Sequence, residues 1–373
     1  MAALAGAMSV LSGRVVADEV LGRLALRTAA LARSGLRQPQ LVIVECGNDP
    51  RSAVYIRNKV RTADRVGVRV RVDSVDPGPA AQAQLLQRIA RCNRDNEVHG
   101  IIVQMPLPPH VEASRVLRAV DDSKDVDGLA PANTGELESA SVLGSGFFLP
   151  ATALGILVLL RWVERQHLGG FTLRGKHCVV VGKGALAGAP TARLLSSEAL
   201  VGCTVSACDV DTPHPTLRAL LRMADVVVTA AGVALISDPS WLKAGAVVID
   251  AGIRVEEEGV RGDVDCAHPT TVCCCQRDSV ALVRSWPVMR GLTLPLAGRE
   301  LLPRCSYITP TPGGTGLMTV AALLVQVVQA AEQQQGQPQQ LFEPLARERV
   351  GEGEGAGAEA AAEAAAATRR TKL

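Results

Sequence analysis

Tyr55 and Lys59 stand four residues apart in a segment of helical periodicity, so they share one helix face. Gln104 closes an apolar run, Gly100–Val103, just before the Pro106-Leu107-Pro108-Pro109 turn. Asp125 and Asp127 lie in the charged turn Lys124-Asp125-Val126-Asp127-Gly128. A phenol, an amine, an amide and two carboxylates are groups that bind a polar small molecule and move protons on it. Each also has a bland reading. Tyr55 and Lys59 fit an ordinary amphipathic face, Gln104 a strand cap, and the acidic turn a solvated loop.

A second constellation begins where the apolar run His177–Val181 meets Gly182-Lys183-Gly184-Ala185-Leu186-Ala187-Gly188. This fits G-x-G-x-x-x-G, one residue longer than the common dinucleotide fingerprint. Ala189, Pro190 and a helical run, Thr191–Leu195, follow. Strand, glycine turn and helix N-terminus in that order form a pyrophosphate cradle, whereas glycine spacing alone is weak because many turns use Gly for its backbone freedom. The next strand ends at Asp209, a position that often binds a ribose 2′-hydroxyl and so favours NAD. Lys183 could instead hold the 2′-phosphate of NADP, and Asp209 and Asp211 could simply open a solvated turn.

These residues need elements to position them. Val10–Arg33 reads as an amphipathic helix, Gln40–Val44 as a buried strand and Gly47–Pro50 as a turn. Helix (Ser52–Val66), strand (Val68–Val72), helix (Ala80–Asn93) and strand (Gly100–Gln104) follow. After a polar crossover between Asp121 and Phe148, a helix begins near Thr152. A second series places strands at His177–Val181, Thr204–Cys208, Val226–Ala230 and Ala246–Asp250. Such alternation predicts an α/β protein with parallel sheets. Two domains are expected, residues 9–150 and 151–317, with a cleft between them. A late helix, Met318–Ala331, is expected to return to the first domain. No structure is assigned to the insertion 267–303, and the Gln-, Gly-, Glu- and Ala-rich tail 332–373 reads as disordered.

Composition narrows the partners. The 373 residues are 47% hydrophobic, with 39 basic against 37 acidic side chains. That balance offers no field for a polyanion, and nine aromatics are too few for stacking platforms, so nucleic acid is not expected. No apolar stretch reads as membrane-spanning and no secretory leader is evident, so a soluble protein with reduced thiols is expected. Cys266, His268, Cys273 and Cys275 include zinc-type ligands but no C-x-x-C pair, and read as a thiol-rich loop with no metal.

Taken in order, the motifs resemble a family. Gly47-Asn48-Asp49-Pro50-Arg51-Ser52-Ala53-Val54-Tyr55-Ile56-Arg57-Asn58-Lys59 resembles the substrate helix of bifunctional methylenetetrahydrofolate dehydrogenase/methenyltetrahydrofolate cyclohydrolases. Gly100–Pro108 and Lys124–Gly128 are similar to its next signatures, Gly175–Pro190 to its nucleotide loop and Gly262-Asp263-Val264-Asp265 to a later turn. Thr309-Pro310-Thr311-Pro312-Gly313-Gly314-Thr315-Gly316-Leu317-Met318-Thr319 resembles its most distinctive segment. The matches run from about residue 9 to residue 331.

The resemblance implies a folate-binding domain followed by a Rossmann-like NAD(P)-binding domain. The implied reactions are oxidation of 5,10-methylenetetrahydrofolate and hydrolysis of the methenyl product to 10-formyltetrahydrofolate. It implies catalytic roles for Lys59, Gln104, Tyr55 and Asp127, and substrate contacts from Tyr55, Ser52, Asp127, Pro312, Gly313 and Gly314. Tyr55 would stack on the p-aminobenzoyl group, Asp127 would bind the pterin, and Gln104 would orient Lys59 near the one-carbon unit. Cofactor contacts would come from Gly182, Lys183, Gly184, Gly188, Pro190, Asp209, Thr212, Ala231, Gly232, Ile253 and Thr319. A homodimer is implied too. A cytoplasmic location is the default, the C-terminal Thr371-Lys372-Leu373 offering a peroxisomal-type alternative.

The chain departs from the family at Lys183-Gly184, where Arg-Ser is usual, and at Asp209-Val210, where His-Ser is usual. NADP is the family default, and these changes leave NAD open. Pro150-Ala151-Thr152-Ala153 and Gly316-Leu317-Met318 also differ, in ways that suit packing adjustments. The competing readings are a dehydrogenase without the hydrolytic step and a folate- or nucleotide-binding protein without turnover. The intact set Tyr55, Lys59, Gln104 and Asp127 speaks against both.

Overall fold

The computed structural model describes residues 9–47, 49–135, 147–166, 170–236, 238–256, 259–264 and 305–337. The elements in chain order are β1 (Ser9–Val10), α1 (Gly13–Arg33), β2 (Gln40–Cys46), α2 (Pro50–Arg65), β3 (Arg69–Val75), α3 (Ala81–Arg94), β4 (Gly100–Val103), α4 (Ala113–Leu117), α5 (Pro131–Gly135) and α6 (Ala151–Gln166). Then come β5 (His177–Val181), α7 (Gly188–Ser196), β6 (Thr204–Cys208), α8 (His214–Met223), β7 (Val226–Thr229), β8 (Ala246–Asp250), β9 (Arg254–Glu256), β10 (Gly259–Arg261), β11 (Cys305–Ile308) and α9 (Thr315–Gln334).

Two parallel sheets organise the chain. The first has the order β3-β2-β4. The second runs β1-β11-β8-β7-β5-β6, every pair parallel. Their central strands are continuous apolar runs because helices cover both faces. In β2, Leu41 and Ile43 enter one core while Val42 and Val44 enter another, as the two-residue period of a strand requires. In β5, Cys178 and Val180 likewise face away from Val179 and Val181.

One apolar core runs from Leu41 and Ile43 in the first sheet to Val247 and Ile249 in the second, through α1, α6 and α9. The sequence assigned residues 9–10 to the first domain, yet β1 pairs with β11 and so belongs to the second sheet. The return helix is longer than expected at both ends. Its last turn keeps Glu332 buried against Arg27, so the helix continues past residue 331, where the tail was expected to start. Residues 338–373 and the insertion 267–303 lie outside the described residues.

By length and composition α9 is apolar enough to cross a membrane, which the sequence reading denied for every stretch. It is apolar all round because α1, α2 and α6 pack on it, leaving 78% of its most apolar window buried. The six described cysteines, Cys46, Cys92, Cys178, Cys203, Cys208 and Cys305, are free thiols. No group of metal-ligating side chains occurs among the described residues, and Cys266, His268, Cys273 and Cys275 lie outside them.

Candidate active site and dinucleotide cradle

Gly47, in the left-handed region at φ 89°, turns the chain out of β2, and α2 begins at Pro50, whose missing N–H is no loss in a first helical turn. Ser52 is buried in that turn, Tyr55 is half-buried, and Lys59 follows one turn later on the same side. Lys59 Nζ donates to Gln104 Oε1 at 2.9 Å. Gln104 Nε2 donates to the Met105 carbonyl at 2.8 Å, which fixes the amide with its oxygen toward the lysine. The Gln104 N–H bonds Val44 O at 2.8 Å, so the residue extends the β2–β4 ladder.

The Lys124–Gly128 turn runs alongside β4, with Ile101 N bonded to Lys124 O at 2.7 Å and a parallel bridge between Ile101 and Asp125. Its three charges have three different environments. Lys124 is buried and donates to the carbonyls of Cys92, Asn93 and Asp95, closing the end of α3. Asp125 is buried and accepts from Ala130 N at 2.7 Å and Asn133 Nδ2 at 2.8 Å, so it builds the turn. Burial lifts its pKa to about 6 against those hydrogen bonds. This corrects the reading of the acidic turn as a solvated loop. Asp127 alone faces Lys59. Burial lowers the Lys59 pKa, and the Asp127 charge opposes that shift. Burial raises the Asp127 pKa, and Lys59 opposes it in turn. Burial also raises the Tyr55 pKa, so the phenol stays neutral.

Sequence reasoning missed Gln326, in the middle of α9. Its Nε2 donates to Val126 O and Leu149 O, each at 2.8 Å, and its Oε1 accepts from Leu149 N at 2.8 Å. This one buried amide ties down the backbone just before Asp127 and just before Pro150, while Ala151 N bonds Asp127 O at 3.2 Å. The signal was a glutamine inside an otherwise apolar helix face.

Pro312, Gly313 and Gly314 belong to a different cluster. Their loop is fastened to the end of β8, where Thr309 Oγ1 accepts from Asp250 N at 2.7 Å and Thr315 Oγ1 donates to Asp250 O at 2.8 Å. The Asp250 carboxylate accepts from Thr229 Oγ1, Gly252 N, Asp263 N and Val264 N, and so locks the Gly262-Asp263-Val264 turn. Asp263, another residue missed as a site element, accepts from Ala231 N at 2.6 Å and holds the exposed Ala231-Gly232 loop after β7. Ile253 is 44% exposed beyond β8. The Thr319 hydroxyl donates to Thr315 O in its own helix.

The glycine turn follows β5 at the switch point of the sheet, where β6 lies to one side and β7 to the other. A Cβ on Gly182 would collide with the Ala230 carbonyl, and one on Gly188 with the Gly182 carbonyl. Both positions therefore demand glycine, and Gly182 has φ 108°. Lys183 and Gly184 are exposed, whereas Gly188 and Pro190 are buried. Those two shape the turn from its buried side. Helix α7 has no side-chain cap, and its first turn closes on the glycine turn itself, Ala189 N bonding Gly184 O at 3.1 Å and Thr191 N bonding Ala187 O at 3.0 Å. A tight, open glycine turn under an uncapped helix fits the pyrophosphate of a dinucleotide. The residues able to hold it are Gly182, Lys183 and Gly184, with Ala231, Gly232 and Ile253 at the neighbouring strand ends. Thr212 serves at one remove, its hydroxyl accepting from Asp209 N at 3.0 Å.

Comparison with known proteins agrees with this geometry. Residues 11–127 match the catalytic domain of the tetrahydrofolate dehydrogenase/cyclohydrolase family, and residues 150–276 match its NAD(P)-binding domain. A bifunctional FolD protein of Pseudomonas syringae is 37% identical over 87% of this chain and 93% of its own length. One from Bordetella petrii is 37% identical over 88% and 95%. Among solved structures, the Campylobacter jejuni FolD dehydrogenase/cyclohydrolase superposes with a TM-score of 0.72 at 32% identity, covering 87% of this chain and 99% of that one. The Trypanosoma brucei enzyme, solved with NADP and an inhibitor, gives 0.71 at 30% identity, covering 88% and 98%. With both domains matched in order and the sequence shared along nearly the whole described length, the chain belongs to the tetrahydrofolate dehydrogenase/cyclohydrolase family.

Proposed function

We propose that Lys59, held by Gln104 and facing Asp127, moves the proton in this enzyme's hydrolytic step. The two reactions are oxidation of 5,10-methylenetetrahydrofolate with NAD or NADP and hydrolysis of 5,10-methenyltetrahydrofolate to 10-formyltetrahydrofolate. A bound dinucleotide supplies the hydride acceptor for the first. That step asks the side chains chiefly to hold the folate in place, which is a positioning task. Half-buried Tyr55 suits a flat aminobenzoyl ring, and Asp127 suits the N–H groups of a pterin.

The second step needs acid–base work. Water adds its oxygen to the one-carbon unit, a ring C–N bond breaks, and both water protons leave that oxygen as the formyl carbonyl forms, one reaching the departing nitrogen and the other released to solvent. An amine whose charged form is disfavoured by burial can take the first proton and return it. The observation that carries this reading is the 2.9 Å bond from Lys59 to Gln104 beside Asp127. A homodimer joined through the nucleotide domain, resting on the resemblance, and a cytoplasmic location, taken as the default, complete the proposal. Sedimentation and imaging of the full chain check them.

The deciding experiment compares Lys59→Met with the natural chain, following reduced nicotinamide and methenyl-folate absorbance together. Hydrolysis should fall by about 10²- to 10⁴-fold while cofactor reduction falls less, so methenyl-folate accumulates. Hydrolysis within a few-fold of the natural rate would sink the assignment.

A further inference from the structure

The rim of the dinucleotide cradle carries a charge arrangement that bears on which dinucleotide enters, given the family reading above. Cys208 ends β6 and its carbonyl accepts from Gly182 N at 2.9 Å, so the residue after it, Asp209, stands over the glycine turn. Lys183 Nζ meets Asp209 Oδ2 at 2.7 Å. The carboxylate is built into its own turn as well. Its Oδ1 accepts from Asp211 N at 3.2 Å and from Thr212 Oγ1 at 3.3 Å, and the Thr212 hydroxyl accepts the Asp209 N–H. Asp211 is exposed beside it, and Val210, 95% exposed, offers no hydrogen-bond donor from its side chain.

In Rossmann-like sheets the residue at this strand end faces the adenosine ribose. A 2′-phosphate brings close to two negative charges and needs cationic or hydroxyl donors around it. Here the nearby ammonium is already engaged by one carboxylate, and a second carboxylate stands close by. A 2′-hydroxyl needs only an acceptor, which Asp209 supplies. We infer that Asp209, oriented by Lys183 and its own turn, selects the unphosphorylated ribose, so that this enzyme uses NAD in preference to NADP. Asp209 is the discriminating residue and Lys183 positions it. Removing the carboxylate frees Lys183 to meet a phosphate.

The test reads equilibrium binding, without turnover. The purified full chain is titrated calorimetrically with ADP-ribose and with 2′-phospho-ADP-ribose. The natural chain should bind ADP-ribose at least about tenfold more tightly, and added salt should narrow the gap. Asp209→Ser should shrink or reverse the preference, and adding Lys183→Ala to that variant should remove the gain in phosphate binding. Both side chains are partly exposed, so the variants should keep the natural thermal transition, which circular dichroism checks. Equal or tighter binding of the phosphorylated ligand by the natural chain would overturn the inference, as would an Asp209→Ser variant with an unchanged ratio. Binding of neither ligand by folded protein would instead overturn the cradle itself, and the selection with it.

Discussion

Burial and the Asp127 charge set how Lys59 carries its charge, and Gln104 accepts its hydrogen bond at 2.9 Å. The amide oxygen accepts a hydrogen bond that only strengthens as the amine gains its proton, so it favours the charged form against burial. Gln104→Leu removes that acceptor and should move the Lys59 titration further down. Gln104→Glu places an anion there and should move it up. The pH dependence of methenyl-folate hydrolysis reads both shifts, which should be opposite in sign. The rate at neutral pH should fall by about tenfold or more in the leucine variant. Two variants moving the profile in the same direction would contradict this role. Neighbouring residues of the same type part ways here: Asp125 is consumed by Ala130 and Asn133, while Asp127, two positions on, faces the amine. Composition of the turn could not separate them, because the distinction lies in which partner each carboxylate meets across the fold.

At the scale of elements, α9 is both a packing helix and a support for the site. Its apolar surface fills the space against α1 and α6, and Gln326 reaches out of that surface to three backbone atoms flanking the Asp127 region. Gln326→Leu keeps the volume and removes every partner. The orphaned Val126 and Leu149 groups should cost about 1–3 kcal/mol, read as a lower urea midpoint. Because Asp127 follows Val126 directly, the folate KM should rise more than the dinucleotide KM. Equal changes in the two would place Gln326 in the scaffold alone. Most of the elements were legible in the amino-acid sequence, through helix and strand periodicity. The ends were less so. β2 continues to Cys46, and α9 starts at Thr315 because the Thr315 hydroxyl is fastened to Asp250, a residue of a distant strand.

Across the whole molecule, two buried titratable groups oppose each other between pH 4 and 6.5. His99 is fully buried, its Nδ1 accepting from Gln40 N at 3.1 Å. Burial first, and the Arg37 charge second, lower its pKa to about 4. The stability it contributes is present above its ordinary 6.5 and is lost as the pH falls toward 4. Asp125 behaves in reverse. Its pKa, raised to about 6, gives a contribution present below 3.8 and lost as the pH rises through 6. Relative to the natural chain, His99→Asn should therefore gain stability as the pH falls from 6.5 to 4, its amide oxygen still able to accept from Gln40. Asp125→Asn should lose relative stability over the same range. Urea midpoints at pH 4.5 and pH 7 measure both, and matching trends would refute the pairing.

The sequence by itself determined the alternation of elements and the family, and it singled out Lys59, Gln104, Asp127 and the glycine turn. These are local matters of periodicity, turn chemistry and ordered motifs along one chain. Tertiary structure alone decided that residues 9–10 join the second sheet and that one core runs through both sheets. It also decided that Gly188 and Pro190 are buried and that Gln326 and Asp263 hold backbone near the two sites. Lys183 and Asp209, weighed in the sequence as rivals for the ribose, are partners 2.7 Å apart. The reason is physical. Which charge remains available depends on what lies beside it in space, and residues 26 positions apart in the chain become neighbours only when β5 and β6 pair.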